Sequence, residues 1–158
     1  MLVVADSSAL VALATCSALD LLPALFDEVF APQGVYDEVV IPGKPQAVAL
    51  QQFLQKRVIA VEAATDSATG SDLGQGELEA IALYKLLAAD LLLIDDRRAR
   101  VVAETQQIRC IGALGVLLAA KRRGIVAEIA PYIEKLRASP IHYSHLLLIK
   151  VLQLAQEI

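Results

Sequence analysis

LLLIDDRRAR, residues 91–100, decides the fold. Four consecutive large aliphatic residues fit a strand buried on both faces, the habit of parallel sheets covered by helices. The run passes without interruption into Asp95 and Asp96, and then into Arg97, Arg98 and Arg100. In open parallel sheets the crevice beyond the carboxyl ends of the strands is where sites form. Acid at the end of the most apolar segment therefore points to a site as well as to a fold.

The same pattern occurs at the start of the chain, where Leu2 to Ala5 is apolar and ends in Asp6, with Ser7 or Ser8 available to cap a helix running to about Ala14. Residues 17–26 carry a helical pattern and 28–31 a short strand. Pro32 opens a helix that carries Val35, Tyr36, Glu38, Val39 and Val40. After the IPGKP turn at 41–45, Ala47, Leu50, Phe53 and Leu54 recur at helical spacing, and 58–61 reads as a strand. The stretch 62–76 has no periodicity and reads as a surface loop delivering Glu77 to a helix with Leu78, Ile81, Ala82 and Leu86 on one face. Beyond residues 91–94 come a helix from about Arg97 to Thr105, a strand at 108–111, and a helix from Leu114 to Arg123 closed by Gly124. Two more helical segments reach Ile158. Alternating strands and helices imply an α/β fold, with a parallel sheet of about four or five strands and helices on both faces.

At 158 residues and 56% hydrophobic, the chain has the size of one domain able to bury a core without staples. A single domain over 1–158 is expected, with 137–158 as a C-terminal helical extension. Met1 leads directly into the first strand, so no secretory leader is expected, and Cys16 and Cys110 read as reduced core residues of a cytoplasmic protein. Lys85, Asp90 and Asp95 interrupt the longest apolar candidate for a membrane span, which needs about 18 residues. A net charge of −4 argues against a general nucleic-acid coat and leaves room for a local basic patch.

Each acid has a structural explanation of its own. Asp6 fits a loop after a strand, Glu38 a solvated helix face, and Glu77 a first helical turn where the macrodipole favours negative charge. Asp95 and Asp96 are harder to explain singly, because Asp6 belongs at the same sheet edge. At ~4 Å and an effective dielectric of ~20, a like-charge pair costs about 4 kcal/mol, against about 5 to 15 for the stability of a whole domain. Such a cluster asks for a cation, and oxygen-only ligands without Cys or His favour Mg²⁺ or Mn²⁺.

Taken together, VVADSSALVAL, VYDEVV, LGQGELEAIALY and LLLIDDRRARVVAE resemble the PIN-domain nucleases, in particular the VapC-like toxin branch, and IGALGVLLAAKRRGIV is similar to that branch too. The resemblance covers about residues 2–137 and lies in the order and spacing of four acidic motifs. It implies a three-layer fold and a pocket where Asp6, Glu38, Glu77 and Asp95 serve catalysis around one or two divalent ions. In it Asp6, Asp95 and Glu77 act as metal ligands and Ser8 supplies a hydroxyl. It implies a metal-dependent endoribonuclease, the toxin of a type II toxin–antitoxin pair, with an antitoxin protein as partner. The alternative is a catalytically silent module that binds RNA or an antitoxin. Leu93 and Ile94 stand where many members carry Thr or Ser before the last acid. A phospho-accepting receiver would need an acid pair near the first strand, where Asp6 stands alone.

Arg97, Arg98 and Arg100 either contact RNA phosphates or act as solvated partners of Asp95, Asp96 and Glu104. Lys121, Arg122 and Arg123 suit a helix C-terminus. His142 and His145 have the spacing of one helical face but lack a third metal ligand. Asp96, just before a helix, is expected to cap it through the amide of Arg98 or Ala99, leaving Asp95 to reach the ion. The apolar face at Leu146, Ile149, Leu152 and Leu154 belongs to the core or to a subunit contact, and a homodimer is expected.

Overall fold

The computed structural model describes residues 1–63 and 72–158; most of the loop expected at 62–76 lies outside the described residues. Among the described residues the chain runs β1 (Leu2–Ala5), α1 (Ser7–Thr15), α2 (Leu21–Leu25), β2 (Glu28–Pro32), α3 (Gln33–Val39), α4 (Ala47–Leu54) and β3 (Val58–Ile59). It continues through α5 (Gln75–Leu87), β4 (Leu91–Leu93), α6 (Arg97–Thr105), β5 (Cys110–Ile111), α7 (Ala113–Arg122), α8 (Ala130–Arg137) and α9 (His145–Leu154).

The strands form one parallel sheet in the order β3-β2-β1-β4-β5. Val3 pairs with Val29 on one side and with Leu91 on the other, which places β1 at the centre. Because side chains alternate across a strand, each apolar run supplies both faces. Val3, Ala5 and Leu93 pack with α1, α2, α7, α8 and α9, while Val4, Leu92 and Ile94 pack with α5 and α6. The result is a single α/β domain of three layers. The last two helices belong to the larger core through Ile133, Leu136, Leu148, Val151 and Leu152. Glu157 fastens the end of the chain by accepting hydrogen bonds from the amides of Ile129 and Ala130 and from Lys121 Nζ.

Several local expectations shift. The helical pattern at 17–26 shortens to α2, because Ser17 takes a left-handed φ of 58° and breaks the chain away from α1. β3 and β5 contract to two residues each, since an edge strand has a partner on one side only. Neither Ser7 nor Ser8 caps α1: the capping position falls on Asp6, whose backbone is extended (φ −97°, ψ 167°), and the serines occupy the first helical turn. As expected, Lys121 and Arg122 lie in the last turn of α7 and Arg123 at its C-terminal cap; Lys121 also pairs with Glu157, and Arg123 donates to the Leu25 carbonyl. His142 lies before α9 and His145 begins it, so the two do not share a helical face.

Candidate active site

Asp6 is the first residue past β1, and its amide donates to the Leu93 carbonyl at 2.8 Å, which carries the β1–β4 ladder to the sheet edge. The residue is 2% exposed. Its Oδ1 is buried without a partner, as is the hydroxyl of Ser7 beside it. Burial pushes the Asp6 carboxyl up to about 7, opposed by the Ser7 amide and reinforced by the negative charges of Glu77, Glu38 and Asp96. The four carboxylates are therefore within electrostatic reach of one another.

Glu38 and Glu77 arrive on two helices that pack closely. A Cβ on Gly76 would stand 3.4 Å from Glu38 Oε1 and 3.5 Å from Val35 Cγ2, ordinary van der Waals distances that show how near the first turn of α5 lies to α3. Glu77, in that first turn, accepts a hydrogen bond from the Gly74 amide at 2.9 Å through Oε1. Its carboxyl is raised by burial, opposed by the Gly74 N–H and by the charge of Arg98, and raised further by Asp96 and Glu38.

The two aspartates after β4 divide. Asp96 caps α6, its Oδ1 accepting from the Ala99 amide at 2.9 Å, as its position before a helix predicts. Its charge also bears on Asp6 and Glu77, so capping is not its whole role. Asp95 has both oxygens engaged elsewhere: Oδ1 accepts from the Ala113 amide at 2.9 Å and Oδ2 from the Tyr143 hydroxyl at 2.6 Å. A Cβ on Gly112 would lie 2.6 Å from Asp95 Oδ1, so that glycine makes the cradle. The Asp95 amide donates to Ser8 Oγ at 3.3 Å, which gives the Ser8 hydroxyl a structural task at the same edge. The structure thus brings Asp6, Glu38, Glu77 and Asp96 together and turns the Asp95 side chain toward α7 and the C-terminal segment.

The arginines separate as well. Arg100 pairs with Glu104 at 3.2 Å, and Arg98 extends its charge to Glu77. Two contributors escape a reading of the sequence. Glu79, 8% exposed, accepts from the Gly34 amide and from Gln75 Nε2, both at 2.9 Å, and so ties the start of α3 to α5. Tyr143 is the other, 48 residues from its partner Asp95. No local pattern signals either contact.

Among the described residues no three His, Cys, Asp or Glu side chains converge into a ready-made metal cage. The donor chemistry nevertheless fits a hard cation: a buried carboxylate oxygen has no partner, and the charges of three further carboxylates act on its group. Such an ion would keep waters between itself and several of the acids, as Mg²⁺ does. No helix among the described residues is long and apolar enough to cross a membrane.

A family model described as PIN domain matches residues 2–157. No curated protein and no solved structure matches the chain.

Proposed function

The chain belongs to the PIN-domain family, whose members are generally nucleases, and from that premise we propose that it is a metal-dependent endoribonuclease hydrolysing RNA phosphodiester bonds. The observation that carries the reading is the buried, unpartnered oxygen of Asp6 among Glu38, Glu77 and Asp96. Mg²⁺ or Mn²⁺ held there would acidify a bound water and offset the charge of the phosphate, so that no histidine base is needed. Asp6 is the direct ligand in this reading. Glu38 and Glu77 orient the attacking water through hydrogen bonds. Asp96 takes the place that the spacing of the sequence assigns to Asp95, while Asp95 positions the turn on which Asp96 sits. Arg98, close to Glu77, is the arginine best placed for the RNA backbone, ahead of Arg97 and the paired Arg100.

The test is cleavage of a single-stranded RNA by the purified chain. Cleavage that needs Mg²⁺ or Mn²⁺, stops with EDTA and is lost in Asp6→Asn supports the reading. RNA binding without cleavage across both metals would instead identify a silent binding module. A role as the toxin of a pair requires an antitoxin protein that covers this edge. We assign the exposed side of α9, where Leu146 is 78% exposed, to a homodimer contact.

A further inference from the structure

We propose that two cavities flanking the acid cluster are paired nucleoside subsites, so that the site receives an internal phosphodiester of an unpaired strand with one nucleoside on each side. The inference rests on the nuclease reading and adds the places where the bases sit. One cavity, of about 600 Å³, has Ser8 and Asp96 in its wall, with Arg100 and Tyr143 further along. The other, of about 400 Å³, is bordered by Ser7, Glu38 and Lys44 over a floor of Val11, Val39 and Leu50. Both share Ser8 and Ile141, so a ridge formed by the first turn of α1 and the segment entering α9 divides them. Asp6 immediately precedes that turn. One member of the acid cluster thus lines each cavity, Glu38 the smaller and Asp96 the larger.

The size and chemistry of each cavity suit a nucleoside. Both volumes lie in the range of about 300 to 1,000 Å³ typical of small-ligand sites. Their walls are mainly apolar, as the faces of a base require, and each has one cation, Lys44 or Arg100, able to meet a flanking phosphate. In the larger cavity the Tyr143 ring is held in place by its hydroxyl bond to Asp95, a platform fixed before a base stacks on it. In the smaller, Glu38 and Lys44 at the rim and Gln46 in the wall supply the polar groups for the edge of a base, over the apolar floor. Bases paired in a duplex cannot enter two such recesses, whereas splayed bases of a single strand can.

The probe is a 2′-O-methyl dinucleoside methylphosphonate, whose linkage is uncharged and is not hydrolysed, so that its binding needs no cation. Titrated into the ¹⁵N-labelled chain, it should shift the amides of Ser7, Lys44 and Gln46 around one cavity and of Gly112, Gly115 and Tyr143 around the other. A single nucleoside should shift one set or the other with weaker affinity. Gln46→Trp and Leu147→Trp, at partly exposed wall positions, should each weaken the dinucleoside at least tenfold without lowering the melting temperature. Shifts confined to one cavity, or none, overturn the proposal. If RNA is cleaved while the probe leaves both cavities unshifted, the subsites fail and the nuclease reading stands. If the probe fills both cavities while no RNA is cleaved with either metal, the subsites stand and the catalytic reading fails.

Discussion

The Tyr143 hydroxyl donates to Asp95 Oδ2 at 2.6 Å, joining the segment before α9 to the turn after β4. Because Asp95 Oδ1 also holds the Ala113 amide, one carboxylate links β4, the start of α7 and the C-terminal segment. Its neighbour Asp96 faces the acid cluster. On the function proposed above, the two adjacent aspartates divide structure and chemistry between them, and substitution separates the two.

Asp96→Asn retains a capping oxygen for the Ala99 amide and loses the charge, so we expect an unchanged melting temperature and a fall in cleavage of about 100-fold. Asp95→Asn should do the reverse. It weakens charge-assisted bonds to Ala113 and Tyr143, lowering stability by about 1–3 kcal/mol while cleavage persists below the melting transition. Thermal melts and initial rates on one RNA check both. Cleavage lost in Asp95→Asn and kept in Asp96→Asn would return the catalytic role to Asp95.

Tyr143→Phe removes the hydroxyl and leaves the ring, so the loss should again be about 1–3 kcal/mol, with Asp95 Oδ2 left unpaired. Combined with Asp95→Asn it should cost less than the sum of the two single changes, because both remove one bond. Additive melting data for the pair would show that the bond contributes nothing of its own.

Glu79→Ala strips the Gly34 amide of its partner and should lower stability by about 1–3 kcal/mol. Gly34→Ala should act at the same contact, since the added Cβ would meet Glu79 Oε2 at 2.8 Å. As α3 also carries Glu38, both variants should lose cleavage before they unfold. Full activity up to the melting transition would argue that α3 is held well enough without this contact.

The homodimer assigned to α9 predicts that Leu146→Lys, at a position 78% exposed, yields a monomer of unchanged stability. Light scattering across a concentration series checks this. A parent chain that stays monomeric at every concentration removes the contact.

The order of strands and helices is legible in the sequence because each element is short and apolar at its own period, as at 2–5, 28–31 and 91–94. Glu77 and Asp96 are also visible, as an acid in a first helical turn and a cap before a helix. The partition between Asp95 and Asp96 is not visible. It depends on where Tyr143 and the Ala113 amide fall in space, and no local periodicity encodes a contact across 48 residues. Glu79 is hidden for the same reason: an acid on a helix looks solvated until its distant amide is located.

The acid cluster should make the metal-free protein less stable as pH rises. In the folded chain Asp6 keeps its proton up to about pH 7, against an unperturbed value of 3.8. Between those values the folded state binds a proton that the unfolded state has lost, so stability falls with increasing pH; below and above that window the Asp6 contribution is flat. The shift corresponds to roughly 4 kcal/mol lost between about pH 4 and pH 7. Asp6→Asn has no charge to bury, so the difference in melting temperature between variant and parent should grow across this window in EDTA and then level off. Mg²⁺ or Mn²⁺ should reverse the effect in the parent at pH 8 by giving the ionised carboxylate a partner, and should do little in the variant. A parent–variant difference independent of pH would show that Asp6 ionises without cost in the folded chain. A parent melting temperature unmoved by either metal at pH 8 would leave that charge with some partner other than a cation.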